Sequence, residues 1–141
     1  MYKRVVHMAT ETVTLEIPEK MYVRLVNTSK AIHRPLEEVI LRALQIGSPP
    51  TWDDVPAEFQ VEVAALDKLD DNSLWQIARA NKTTEEMERY NILLEGNSNA
   101  TLSQEERLEL MALRHNMDLF MLCKAQATVL LRWRGHNIQA R

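Results

Sequence analysis

Cysteine occurs once in 141 residues, as Cys123, so no intramolecular disulfide and no thiolate zinc site can form. Glycine occurs three times. That excludes the phosphate-cradling loop, the dinucleotide turn and the nucleophile elbow, each of which needs several glycines at fixed spacing. His7, His33, His115 and His136 have no metal-ligand spacing. The adjacent acids Asp53-Asp54, Asp70-Asp71 and Glu85-Glu86 sit where helices begin, and neighbours in sequence do not share a helix face. No catalytic residue, metal or cofactor is therefore expected. Long apolar runs are also missing. Met117 to Leu131 is interrupted by Asp118, Lys124 and Gln126 and falls short of the roughly 20 residues needed to cross a bilayer. Met1 to His7 has no apolar core of a signal peptide. The expected setting is a reducing cytoplasm, without a membrane.

A strong charge of one sign is absent as well: the net value is −3. The distribution is uneven, however. Residues 1–47 hold seven Lys/Arg and five Asp/Glu, for +2; residues 48–111 hold five and fourteen, for −9; residues 112–141 hold five and one, for +4. Nucleic-acid contact, if made, belongs to an end of such a chain, and the acidic middle faces water or a basic partner. The 45% hydrophobic content suffices to bury a core.

From Glu11 to Ile17, apolar Val13, Leu15 and Ile17 alternate with Thr12, Thr14 and Glu16. That period predicts a strand with one buried face. Pro18 ends it and suits a helix start. In the helix that follows, Tyr22, Leu25 and Val26 share a face, and it ends near Ile32. His33-Arg34-Pro35 begins another helix, in which Leu36, Val39, Ile40, Ala43 and Leu44 keep helical spacing up to Gly47. A lone strand cannot satisfy its backbone groups or cover its apolar side chains, and pairing with the same strand of a second copy across a two-fold axis is the simplest remedy.

Strand, helix, turn, helix over residues 8–47, with the run Arg34-Pro35-Leu36-Glu37-Glu38-Val39-Ile40 opening the second helix, resembles the ribbon-helix-helix family and, within it, the antitoxins. The resemblance implies a homodimer whose ribbon, built on Val13, Leu15 and Ile17, presents Thr12, Thr14 and Glu16 to base edges. It also implies a phosphate held at the start of the second helix by the backbone of Leu36 and Glu37 with Arg34 alongside. Glu16 departs from the family, which favours basic or amide side chains on that face. Lys3 and Arg4 could form a flexible arm on the DNA backbone.

Residues 48–56 read as a linker and 57–141 as a helical module. Helices are expected over Ala57–Leu66, Asn72–Ala80 and Thr84–Glu95, capped by Asp71, Ser73 and Thr83 or Thr84, with a break at Gly96-Asn97-Ser98-Asn99. The S-x-x-E spacing at Ser103 then opens one long terminal helix running toward Gly135. The expected fold class is mostly α, an N-terminal ribbon-helix-helix plus this module. Apolar residues cover more than one face of the terminal helix, which makes it either a central core helix or a partner interface. Phe120, Arg132, Trp133 and Arg134 are the candidate partner-binding residues. The antitoxin resemblance implies operator DNA and a toxin as partners. The favoured toxin is a PIN-type ribonuclease, whose acidic metal-binding cluster an arginine such as Arg132, Arg134 or Arg141 would meet. The alternative is a helical scaffold that dimerises without binding DNA.

Overall fold

A computed structural model describes residues 9–138. Lys3, Arg4, His7, Met8 and Arg141 lie outside them. The described residues contain six α-helices and no strand: α1 (Glu19–Ile32), α2 (Leu36–Gly47), α3 (Ala57–Ala64) with a 3-10 turn at Ala65–Lys68, α4 (Asp71–Arg79), α5 (Thr84–Ser98) and α6 (Gln104–Trp133). The mostly α expectation holds, and the expected ribbon strand does not. Residues 9–17 run up to Pro18 without any ladder. Strand structure belongs to a pair of segments, and no second extended segment in the described chain exchanges hydrogen bonds with this one. Val13 is 72% and Leu15 67% exposed, so their side is as open to solvent as the side of Thr12, Thr14 and Glu16.

The chain separates into two units, one ending at Ser48 and the other starting at Pro49. In the first, α1 and α2 form a helical hairpin. Its turn is a Schellman closure in which Arg34 N–H donates to the Ser29 carbonyl (3.1 Å) and His33 N–H to that of Lys30 (3.4 Å). His33 takes the left-handed conformation that the closure requires (φ 55°). Val39 is the only buried side chain on the two helices.

The second unit is built around α6. Leu66, Leu74, Ala127, Leu130 and Leu131 form its core, with Leu69, Trp75, Ile77, Ala78, Cys123 and Ile138 packed around them. Ala127, with no side chain beyond Cβ, leaves room for the neighbouring elements against α6. Leu93 of α5 and Leu110 of α6 are also buried. The residues preceding α3 are tied into this unit: Gln126 Nε2 donates to the Pro50 carbonyl (3.3 Å), Gln60 Nε2 to that of Val55 (2.8 Å) and Trp52 Nε1 to Asp67 Oδ2 (3.2 Å). The caps follow polar side chains at the turns. Asp70 caps α4 by accepting from Ser73 N–H (2.8 Å), the position one residue before the expected Asp71. Thr83 and Ser103 open α5 and α6 with full capping boxes.

Candidate functional site

The N-terminal candidates occupy two places. Thr12, Thr14 and Glu16 are exposed on the segment before α1, together with Val13 and Leu15, while Ile17 is half-buried. At the other place, Pro35 N-caps α2 without any side-chain cap. Glu38 and Val39 N–H donate to the Pro35 carbonyl (3.0 and 3.3 Å), and those of Leu36 and Glu37 meet no acceptor among the described residues. This is the free positive end of a helix dipole. Arg34 stands beside it, its Nη1 3.8 Å from Glu38 Oε2, with both side chains more than half exposed. An exposed i,i+4 pair of that kind contributes about 0.3–0.5 kcal/mol. A phosphate could readily take the guanidinium from Glu38.

The C-terminal candidates do not form one surface. Phe120 is half-buried, with Lys82 Nζ 4.8 Å and Lys124 Nζ 6.0 Å from its ring centre. Lys124 is held there by donating to the Ala80 carbonyl (2.6 Å). Trp133 and Arg132 are exposed at the end of α6. Arg134 turns inward: its Nη1 donates to the Leu69 carbonyl (2.8 Å) and to Asp71 Oδ1 (2.9 Å), and its Nη2 to the Asp67 carbonyl (3.3 Å).

Gly135 makes this return possible. Its φ of +100° closes a Schellman turn in which His136 N–H donates to the Leu131 carbonyl (3.0 Å) and Gly135 N–H to that of Arg132 (3.0 Å). The redirected tail places His136 Nε2 at 2.6 Å from Asp71 Oδ2 and sets the imidazole edge-on to Trp75, whose ring also carries the Arg79 guanidinium at 4.1 Å. Sequence reasoning missed this clasp; its one local sign is Arg-Gly-His directly after an apolar helix. No family model matches the chain, and neither does any curated protein or solved structure. The functional argument therefore rests on these residues alone.

Electrostatics agree with a structural clasp. The hydrogen bonds from His136 and then Arg134 hold the Asp71 carboxyl below the ordinary aspartate range. A carboxyl with a depressed value in the folded state stabilises the fold above its ordinary value, near pH 4, and that contribution disappears as pH falls through the folded value. Asp70, Glu86 and Glu109 are depressed in the same direction by bonds from Ser73, Thr83 and Arg89. The melting temperature of the C-terminal unit should accordingly fall on acidification between about pH 5 and pH 2. Asp71→Asn should flatten that decline, as thermal scans across the range would record. An unchanged slope would remove Asp71 from the account. Burial, then the nearby Glu62, pushes the Cys123 thiol upward, so it stays protonated at neutral pH.

Proposed function

We propose that the chain is a DNA-binding transcriptional regulator of the antitoxin type, acting as a homodimer through its N-terminal unit and taking a partner protein on its C-terminal helices. The observation that carries the reading is the thin core of the N-terminal unit. One buried side chain cannot offset the conformational entropy of ordering two helices, and Leu15, Tyr22, Val23, Leu41 and Leu44 are among the apolar side chains left exposed there. A second copy covers such a surface at no cost in new sequence. The unit also carries the chain's basic N-terminal segment and the uncapped start of α2 beside Arg34, the combination that receives a DNA phosphate. Thr12, Thr14 and Glu16 are the side chains available to base edges. The partner favoured by the family resemblance is a PIN-type ribonuclease toxin.

A dimerising scaffold without DNA is the second reading, supported by the Glu16 carboxylate and by the contact between Arg34 and Glu38. Fluorescence anisotropy with the DNA upstream of the protein's own coding sequence separates the two. Thr14→Ala should lower the preference for that DNA over random duplex by about 1–3 kcal/mol. Arg34→Ala should weaken both alike and reduce the salt slope by about one unit per monomer. If neither substitution changes binding, or no binding occurs, the scaffold reading replaces the regulator.

A further inference from the structure

The C-terminal unit satisfies most of its cations internally. Lys82 pairs with Glu86, Arg89 with Glu109 and Arg134 with Asp71; Lys124 donates to the Ala80 carbonyl and Arg79 stacks on Trp75. Apart from Lys68 on the 3-10 turn, the exceptions are Arg107, Arg114 and Arg132. None makes an ion pair or a side-chain hydrogen bond to any described residue, and all three are exposed. They also lie along one line of α6. With Met111, Asp118 and Met121, the positions recur at intervals of three, four or eleven residues, which keeps side chains on one helix face. Met111 is 64% and Met121 56% exposed. The line runs for about 37 Å at ~1.5 Å per residue.

We infer that this outer face of α6 is the docking surface for a partner protein that presents an acidic, partly apolar helix or ridge. The inference rests on the reading of the C-terminal helices as the partner-binding part, and it names the residues and the partner's chemistry. Charge complementarity decides the occupant. Three arginines against one aspartate make the face net +2, and each guanidinium offers a carboxylate a bidentate pair. The methionines between them adapt to apolar side chains of varied shape. A second copy docked in parallel on the same face would set each arginine against its own equivalent, and an antiparallel one could pair only Arg114 with Asp118, leaving Arg107 and Arg132 without a carboxylate. Nucleic acid is disfavoured because residues 49–141 hold fifteen Asp/Glu against ten Lys/Arg, a net −5 that repels a polyanion, and because methionines do nothing for phosphates.

The probe is a labelled synthetic peptide of about 20 residues, long enough for a ~30 Å helix, with glutamate and leucine at helical spacing. It is titrated by anisotropy into the full chain. Arg107→Glu with Arg114→Glu should weaken its binding at least about tenfold, and Met111→Ala with Met121→Ala several-fold. Lys30→Glu with Lys68→Glu, equal in charge but off the face, should leave it within about twofold. These are exposed positions, and circular dichroism checks that each variant is folded. Three outcomes overturn the inference: wild-type chain fails to bind the peptide, or the arginine variant binds it as wild type does. The third is that the arginine variant loses DNA binding or self-association in parallel, which would make the face a general polyanion surface or a contact between copies. Loss of DNA binding by Arg34→Ala alone bears on the N-terminal reading and leaves this result independent.

Discussion

Replacing Leu131 by alanine is expected to destabilise the C-terminal unit by about 3 kcal/mol, within the 2–5 kcal/mol range of fully buried leucines. Leu131 is completely enclosed, in one cluster with Leu66, Leu74, Ala127 and Leu130. The helix that carries it is fixed on several sides, so the walls of the vacated space cannot close in. A cavity term of about 1 kcal/mol is therefore added to about 2 kcal/mol of lost transfer energy. Urea titration should show a lower midpoint with an unchanged slope. A shift of only about 2 kcal/mol would mean that the site collapses, and one below ~1 kcal/mol would contradict the burial of Leu131 itself.

Arg134→Ala is expected to have the next largest effect. Its side chain is three-quarters covered and bridges the Leu69 and Asp67 carbonyls as well as Asp71. The two carbonyl bonds alone are worth about 1 kcal/mol each. A loss of that size lowers the melting temperature by about 8–16 °C for a unit of this length. The turn that follows is closed by the Gly135 and His136 amides, and their protection should fall once the Arg134 anchor is removed. Arg134→Lys should not restore it, since one ammonium cannot reach three acceptors that a planar guanidinium spans. A tail that stays protected in Arg134→Ala would show that Ile138 and the Schellman turn hold it unaided. The same variant separates structure from recognition: in this account, Arg134 supports the fold and Arg132 is the tail arginine available to a partner.

The helices were legible because their signals are local. Pro18, Pro35 and Pro56 precede α1, α2 and α3, and the capping boxes at Thr83 and Ser103 specify α5 and α6 within four residues. The strand reading failed for a physical reason of the opposite kind. Alternation of Val13, Leu15 and Ile17 reports which side chains could share a face, but a strand also needs a neighbour, and that is not a local property. The break expected at Gly96-Asn97-Ser98-Asn99 falls at the end of that run, since α5 continues to Ser98 and Asn99 caps it. Gly96 lies inside α5, and Leu102 packs so close to it that a Cβ there would lie 2.5 Å from Leu102 Cδ2. The helix closes afterwards, with Thr101 N–H donating to the Gly96 carbonyl (2.9 Å). The clasp of Arg134 and His136 on Asp71 joins residues more than sixty positions apart, and no period or spacing encodes such a meeting. Of the candidate sites, the start of α2 was legible from Arg34-Pro35. The line of unpaired arginines on α6 was not, because it emerges only once Arg79, Lys82, Arg89, Lys124 and Arg134 have found their partners.

The central claim is that two copies of the chain act together on DNA through the N-terminal unit. Native mass spectrometry of the full chain mixed with a duplex from upstream of its own coding sequence tests this most directly. The account predicts that the smallest complex contains two chains per duplex and that it dissociates as salt rises. A single chain on the duplex, or a chain that remains monomeric and unbound at micromolar concentration, would contradict it.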